Sequence, residues 1–246
     1  MKINRLAALL LVALSTIGSA CASAPHWSYE GKAGPEHWGE LAADYQTCHN
    51  GKYQSPIDIK NAVDGKLPPL GLEFHTSAET LVNNGHTIQI NVDDEDDFRL
   101  DGDIFQLKQY HFHTPSENQI AGRSFPLEAH FVHSNAAGEL AVVAVMFDIG
   151  EENPALNPIL AAIPPQLNHP VTVDKQVNLR PLFPADLHYY RFSGSLTTPP
   201  CSEGLRWLVM KQPVTLSQSQ LDAFRQALKS SNNRPLQPLH GRIVVE

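Results

Sequence analysis

The sequence is poor in cysteine and in positive charge, and each shortage excludes a class of protein. Three cysteines in 246 residues are too few for a disulfide-dense scaffold or for a zinc module with four cysteine ligands. Lysine and arginine total 18 against 26 aspartates and glutamates, which gives a formal net charge of −8. Such a chain lacks the broad positive field with which proteins bind nucleic acids or anionic membranes. We therefore expect neither as a partner.

Long apolar runs, repeats, low-complexity tracts and linkers are also missing. Beyond the N-terminal segment, no stretch approaches the roughly 18 consecutive apolar residues of a membrane-spanning helix. Apolar residues nevertheless make up 42% of the chain, enough to bury a core. The residue in unusual supply is histidine, with twelve copies. Since histidine is the commonest metal ligand, this count favours a metal site without locating it.

The first 22 residues have the pattern of a cleaved secretory signal peptide. Basic residues precede an apolar run over residues 6–17, and small residues at 20–22 provide a cleavage site. The run is too short and too poorly flanked for a transmembrane helix. We expect cleavage after Ala22, leaving a mature domain 23–246 that is periplasmic or secreted. The alternative is a lipoprotein in which Cys21 is the acylated first residue.

Export changes the interpretation of the two remaining cysteines. Cys48 and Cys201 are an even pair in an oxidising compartment, so a disulfide between them is expected. In the chain-entropy description, closing a loop of roughly 150 residues stabilises a fold by on the order of 4–5 kcal/mol. The alternative is two buried free thiols.

Polar and apolar residues alternate over most of the chain, between glycine, proline and asparagine punctuation, which predicts strands. Residues 87–92 and 103–107 alternate in this way, and the uncharged run 140–147 is typical of a strand buried on both faces. Helical signals are few: a capping-box pattern begins at Ser217, and a shorter helix is predicted over 154–163. The sequence therefore predicts a β-dominated single domain with a few short helices, built on a large, mostly antiparallel twisted sheet.

The segment 109–113 carries a pair of histidines. Residues i and i+2 of a strand project from one face, so Gln109, His111 and His113 point together while the aromatic residues between them pack behind. Two imidazoles at this spacing can converge on one Zn²⁺, which binds histidine nitrogen at about 2.0–2.1 Å. Alone, the pair is also compatible with histidines that only pack and hydrogen-bond.

A second alternating segment strengthens the prediction of a metal site, because Glu128, His130 and Val132 share one face of it. The sixteen residues between His113 and His130 suffice for a turn and a return to a neighbouring strand. Three histidines with an open fourth position are typical of catalytic zinc. Gln109 and Glu128, each two residues before a predicted ligand, can orient the outer N–H of an imidazole.

Further short segments spread over the mature chain occur in a highly specific order. They are His26-Trp27-Ser28-Tyr29-Glu30-Gly31, Gly34-Pro35-Glu36-His37-Trp38, Gln54-Ser55-Pro56-Ile57-Asp58-Ile59, Asn83-Asn84-Gly85-His86, Ser195-Leu196-Thr197-Thr198-Pro199-Pro200 and Arg234-Pro235-Leu236-Gln237-Pro238. With the two histidine strands, they make the sequence resemble the alpha-class carbonic anhydrases, in the bacterial exported branch.

The resemblance implies a zinc enzyme that reversibly hydrates carbon dioxide to bicarbonate and a proton. His111, His113 and His130 match the three ligands of one Zn²⁺, with water or hydroxide as the fourth. In the family, zinc-bound hydroxide attacks the carbon of carbon dioxide. Thr197 matches the hydroxyl that accepts a hydrogen bond from this hydroxide and donates to Glu117, since an ionised carboxylate can only accept.

The resemblance also implies roles along the paths of substrate and proton. His86 matches the proton shuttle, for which an ordinary histidine pKa near 6.5 is suited. The residues that match the substrate pocket are Val132, Val142, Leu196, Trp207 and Thr198. Those that match the polar lining supporting water chains are Tyr29, Asn84, Gln89 and, again, Thr198. Cys48 and Cys201 match the disulfide of exported members, which we expect to brace the active-site loop.

One residue departs from the family pattern: Asn118 stands where many members carry histidine, which questions part of the hydrogen bonding around the ligands. The alternative function is a catalytically inactive binding module with a carbonic-anhydrase-like fold, but the presence of every ligand with Thr197 and Glu117 disfavours it. A periplasmic zinc carrier would be expected to have a mobile histidine-rich tract, and the sequence contains none. We expect a monomer or a homodimer.

Overall fold

The computed structural model describes residues 25–74, 78–92, 97–173 and 178–246. The signal peptide predicted over residues 1–22 lies outside the described residues.

Strands predominate over helices, as predicted. The strands of the described residues are β1 (Asp58–Ile59), β2 (Ala78–Asn83), β3 (Ile88–Val92), β4 (Asp97–Leu100), β5 (Asp103–His113), β6 (Gln119–Ile120), β7 (Leu127–Ser134), β8 (Leu140–Ile149), β9 (Val171–Thr172), β10 (Tyr189–Ser195), β11 (Glu203–Met210) and β12 (Val214–Leu216). The α-helices are α1 (Trp38–Leu41), α2 (Thr47–Asn50), α3 (Leu156–Ala162) and α4 (Gln218–Leu228), with 3₁₀ turns at Gly31–Ala33, Ala43–Tyr45 and Arg180–Leu182. No helix in these parts of the chain has the length and apolar character needed to cross a membrane.

Ten of these strands form one sheet, in the order β10-β11-β8-β7-β5-β3-β2-β9, with β12 on β8 and β4 on β5. Most neighbouring pairs are antiparallel, which confirms the predicted sheet; β11 and β12 instead run parallel to β8. β1 and β6 form a separate two-stranded parallel pair.

The sheet separates two cores, and β8 contributes to both. Ala141, Val143 and Val145 belong to a larger core, which also contains side chains of α3 and α4. Val142 and Ala144, which alternate with them, belong to a smaller core on the opposite face. This confirms the prediction of a strand buried on both faces. Burying one such apolar side chain contributes about 1.5–3 kcal/mol, so both faces stabilise the sheet.

The pairing of β5 with β7 determines which face carries the histidines. Tyr110 and Phe112 of β5 and Phe131 of β7 pack in the larger core. Because successive side chains of a strand alternate, His111 and His113 of β5 and His130 of β7 project from the opposite face, on the side of the smaller core. His133 of β7 shares the face of Phe131 and packs edge-on against Phe98 of the larger core.

The helix predicted from the Ser217 capping box forms as α4, and Leu221, Phe224 and Leu228 of this helix are buried. The Ser217 side chain accepts from the Gln220 amide, and the Gln220 side chain accepts from the Ser217 amide. Both bonds satisfy amides that a helix start otherwise leaves unpaired.

The second predicted helix is shorter than expected, since α3 begins at Leu156 and ends at Ala162. The Asn153 side chain accepts from the amide of Ala155, and its carbonyl accepts from the amide of Leu156. Asn153 therefore provides acceptors for amides that the start of a helix otherwise leaves unpaired.

Replacing the cap of α4 should lower stability. Ser217→Ala leaves the Gln220 amide without its acceptor, and we expect a loss of about 1 kcal/mol in the free energy of unfolding, measured by urea denaturation. Ser217→Asp, which retains an acceptor oxygen, is the matched control and should stay close to the parent protein. Equal stability of the alanine variant and the parent would contradict this contribution.

Candidate metal centre

Three histidine side chains converge on the face of the sheet opposite the larger core. His111 and His113 come from β5 and His130 from β7, and His111 lies directly opposite His130 in the strand register. One nitrogen from each ring lies within 4.8 Å of the other two. His113 and His130 are each only 1% exposed. The structure thus brings the three predicted ligands together.

Hydrogen bonds fix the tautomers of the two β5 histidines. Nδ1 of His111 lies 2.8 Å from Oε1 of Gln109 and donates to it, as predicted from strand alternation. Nδ1 of His113 donates to the main-chain carbonyl of Asn232 at 2.7 Å. A proton on Nδ1 leaves the lone pair of Nε2 available in both rings, which is the form that binds metal ions.

His130 is supported from its other nitrogen by Glu128. Nε2 of His130 lies 2.9 Å from Oε1 of Glu128, without the alignment of a good hydrogen bond, which leaves Nδ1 for a metal. The Glu128 carboxylate in turn accepts from the amides of Glu117 and Asn118, at 2.7 and 2.9 Å, and from Nδ2 of Asn118 at 2.8 Å. Asn118, the residue that departs from the family pattern, therefore itself supplies hydrogen bonds to this carboxylate.

The three histidines fit a zinc ion. Burial lowers the pKa of His111, His113 and His130, so all three are neutral at pH 7. Nε2 of His113 is buried and has no hydrogen-bond partner. A buried, unpartnered lone pair among neutral imidazoles matches the nitrogen donors that Zn²⁺ prefers.

Glu117 lies buried between the histidines and Thr197. Its Oε1 accepts from the amide of Arg234 at 2.8 Å, and its Oε2 lies 3.6 Å from Nε2 of His113. Burial raises the pKa of Glu117 to about 8, an effect opposed by the Arg234 amide and the Thr197 hydroxyl. A cation held by the histidines would act in the same direction as these two hydrogen bonds. It would lower the pKa of Glu117 and favour the ionised carboxylate.

The histidines line a cavity of about 170 Å³. The other predicted residues that line it are Tyr29, Asn84, His86, Gln89, Gln109, Val132, Val142, Leu196, Thr197, Thr198 and Trp207. The Trp207 indole donates to the carbonyl of Ser195 at 3.1 Å and packs edge-on against His130, with ring centroids 4.9 Å apart. Trp27, Thr87 and Leu205 also line the cavity, but no motif singled them out as cavity residues.

A tight turn carries His86 to the cavity. Oδ1 of Asn84 accepts from the amides of His86 and Thr87, both at 2.9 Å. Gly85 has φ of +84°, a conformation that other residues rarely adopt. The Asn-Asn-Gly sequence therefore fixes the main chain beside the predicted shuttle.

The ring of His86 stacks on an indole from the N-terminal segment. The centroids of His86 and Trp27 are 3.7 Å apart and their planes differ by 10°. Burial lowers the pKa of His86, and the nearby ring of His26 lowers it further. His86 therefore stays neutral, and able to accept a proton, to a lower pH than an ordinary histidine.

Asn232 supports the site but was missed from the sequence. Besides accepting from His113, it accepts from the amide of Thr114 through Oδ1 at 2.8 Å. Its Nδ2 donates to the carbonyls of His86 and Phe112, both at 2.9 Å. One buried residue, through its carbonyl and its side chain, thus connects the His113 ring to the main chain of the predicted shuttle. It lies 119 residues from His113, and no local pattern marks it.

The predicted disulfide is present and joins Cys48 to Cys201 across 153 residues. Cys48 belongs to α2, and Cys201 lies in the same loop as Thr197, between β10 and β11. The two half-cystines pack with Trp38 and Tyr45 in a small cluster beside the site. The disulfide expected from the sequence is therefore confirmed, and the alternative of two free thiols is not.

Comparison with known proteins identifies the family. The model of the eukaryotic-type carbonic anhydrases matches residues 33–246. The chain belongs to this family. A carbonic anhydrase of Pectobacterium carotovorum is 47% identical over 242 residues, which cover 98% of this chain and 99% of the relative. The family resemblance inferred from the motifs is confirmed.

Solved structures show the same fold. The alpha-carbonic anhydrase of Thermovibrio ammonificans, in complex with sulfanilamide, matches with a TM-score of 0.89 and 44% identity, over 91% of this chain and 100% of that one. Dioscorin in complex with ascorbate matches with a TM-score of 0.84 and 33% identity, over 89% of this chain and 97% of that one. Because the fold accommodates both proteins, the chemistry of the site must carry the functional argument.

The proximity of His26 to His86, with ring centroids 6.4 Å apart, should be measurable in the pKa of His86. In His26→Ala, loss of the neighbouring imidazole, which lowers the pKa of His86 electrostatically, should raise that pKa, measured by NMR titration of the imidazole protons of His86. His37→Ala is the matched control, because His37 pairs with Glu40 and does not shift His86. An unchanged or lower pKa of His86 in His26→Ala would refute the coupling.

Proposed function

We propose that this chain catalyses the reversible hydration of carbon dioxide to bicarbonate and a proton, with one Zn²⁺ held by His111, His113 and His130. The observation that carries the proposal is the convergence of three neutral imidazoles, two of them buried and that of His111 half-buried, on a small cavity with an apolar wall. Membership of the carbonic anhydrase family supports the same reaction.

Neutral ligands suit this chemistry. A carboxylate ligand would cancel part of the metal's +2 charge, whereas three imidazoles leave it intact. When bound, Zn²⁺ makes a water molecule acidic enough to provide a nucleophile near neutral pH, as is established for carbonic anhydrases in general. Gln109, Asn232 and Glu128 hold the rings in orientation from their outer nitrogens.

Thr197 and Glu117 orient the nucleophile. As a carboxylate, Glu117 can only accept, so the Thr197 hydroxyl donates to it and keeps its own lone pairs for a donor in the cavity. A nucleophile that donates its proton to Thr197 has a lone pair left to direct at the substrate. The amide of Arg234 supports this arrangement because it donates to Oε1 of Glu117, while the buried Oε2 has no hydrogen-bond partner among the described residues.

The apolar wall holds the substrate. Carbon dioxide is linear and uncharged, and it needs only a small dry pocket beside the nucleophile. The residues that form this pocket are Val132, Val142, Leu196 and Trp207, with Thr198 beside them. Burial of Val142 and Trp207 in the smaller core fixes the position of the wall.

His86 transfers the released proton to buffer. The residues that support water between the metal site and His86 are Tyr29, Asn84, Gln89 and Thr198. Burial raises the pKa of Tyr29, so its hydroxyl remains a hydrogen-bond donor at neutral pH. Stacking on Trp27 keeps the His86 ring at the cavity.

The proposed enzyme is exported. We infer that residues 1–22 are removed as a signal peptide and that 23–246 form the catalytic domain, in the periplasm or outside the cell, as a monomer or homodimer. The Cys48–Cys201 disulfide supports export, because such bonds form in oxidising compartments. Acylation of Cys21 is the alternative to its removal.

Removing the metal should abolish the reaction. Stopped-flow measurements of carbon dioxide hydration, with metal analysis of the same samples, should show loss of activity with a zinc chelator and recovery on adding Zn²⁺. His111→Ala should lose retained metal and activity together, by more than about 100-fold, since even outer supports of a ligand cost 10–100-fold. A zinc-loaded parent protein without activity would support the alternative, an inactive binding module.

Removing the shuttle should slow turnover only where buffer is scarce. In His86→Ala, kcat at low buffer concentration should fall by about 100-fold, and added imidazole should restore it. His188→Ala, an exposed histidine paired with Asp186, is the control. Turnover of His86→Ala that responds to neither buffer nor imidazole would refute the assignment.

A further inference from the structure

Thr197 lies in the loop that connects β10 to β11, and both flanks of this loop are held by one neighbouring segment. Ser195, at the end of β10, exchanges hydrogen bonds with Ser55: the Ser55 amide donates to Oγ of Ser195 at 2.9 Å, and the Ser195 amide donates to Oγ of Ser55 at 3.2 Å. At the other flank, Nε2 of Gln54 donates to the carbonyl of Cys201 at 3.0 Å.

The side chain of Arg234 joins these supports. Nη1 of its guanidinium donates to Oε1 of Gln54 and to the carbonyl of Ser55, both at 2.8 Å. Nη2 donates to the carbonyl of Cys48 at 3.0 Å. Since Cys48 is bonded to Cys201, all three acceptors belong to groups that hold the Thr197 loop.

The main chain of Arg234 contacts the partner of Thr197. Its amide donates to Oε1 of Glu117 at 2.8 Å. One residue therefore holds the supports of the Thr197 loop through its side chain and holds Glu117 through its backbone. Arg234 is 2% exposed, and its guanidinium carbon lies 5.6 Å from the ring centroid of Trp38.

Burying a guanidinium costs desolvation free energy, and apolar side chains of similar volume often stabilise a core as well or better. Burial lowers the pKa of Arg234 to about 10, so the group remains cationic at pH 7. Its planar fork can serve several acceptors in fixed directions, whereas a lysine ammonium acts as a point charge. The directions of its acceptors therefore indicate why an arginine, and not an apolar residue or a lysine, occupies this position.

We propose that Arg234 is a positioning residue that sets the Thr197 hydroxyl against Glu117, by holding the Thr197 loop with its guanidinium and the Glu117 carboxylate with its amide. The chemical consequence rests on the proposed function; the positioning itself does not, and it can be measured separately.

The first test measures the loop without reference to activity. In Arg234→Lys, as the full mature protein with its metal, amide hydrogen exchange in peptides covering residues 195–203 should become about tenfold faster, while the β8 peptides stay unchanged. Arg180→Lys is the matched control, because the Arg180 guanidinium also donates to loop carbonyls, those of Phe183 and Pro184. Unchanged exchange at 195–203, or equal acceleration throughout the chain, would overturn the proposal even if the protein had no hydratase activity.

The second test asks whether Arg234 acts through Thr197. The kcat/KM for carbon dioxide hydration is compared in the parent, Arg234→Lys, Thr197→Ala and the double variant, each with its zinc content measured. Arg234→Lys should lower kcat/KM by about tenfold in the parent but by less than about twofold in Thr197→Ala, because interacting residues give non-additive effects. The same factor in both backgrounds would indicate a general structural role and refute positioning.

If Arg234→Lys does not fold, Gln54→Leu takes its place in both tests. It removes the contact with the Cys201 carbonyl and one acceptor of Arg234, but it leaves the bonds of Arg234 to Ser55 and Cys48. Gln54→Leu should also accelerate amide exchange at 195–203, by a smaller factor than Arg234→Lys. Its effect on kcat/KM should likewise be smaller in the Thr197→Ala background than in the parent. Additive losses without a change in loop exchange would reject the proposal.

Discussion

The antiparallel register between β5 and β7 is the constraint on which the site depends. It places His111 opposite His130 and His113 opposite Glu128. Because the side chains of a strand alternate, a slip of one residue would turn these histidines into the larger core and bring Phe112 to the cavity. The aromatic residues that β5 and β7 bury behind the sheet therefore specify the position of the three histidines, together with the hydrogen bonds to the histidine rings.

Electrostatics explain why so polar a cluster is stable inside the protein. Two carboxylates, Glu117 and Glu128, lie buried beside three neutral imidazoles, and burial raises the pKa of both. Main-chain amides and the Asn118 side chain donate to the two groups and offset part of the cost of burying charge. A divalent cation at the three histidines would balance two carboxylates, so this environment suits a +2 ion held by neutral ligands.

Where a feature depended on neighbours in sequence, the sequence was sufficient to predict it. Strand alternation predicted the shared face of Gln109 and His111, and the capping box predicted the start of α4. α3 begins two residues after the predicted start, a difference within the precision with which a sequence pattern locates a helix boundary. The effect of Asn118, in contrast, could not be read from the sequence, since it depends on where Glu128 lies across the site.

Local periodicity, short motifs and composition were sufficient to predict the β-rich class, the group of three histidines, the family and the pair of cysteines. The contacts that hold those groups in place were visible only in the folded chain. Asn232 reaches His113 through a main-chain carbonyl, and Arg234 reaches the Thr197 loop through Gln54 and Ser55. The contact between Trp27 and His86 is a stacking of their rings. These contacts join segments far apart in the chain, often through backbone atoms that every residue possesses, so no side-chain pattern records them.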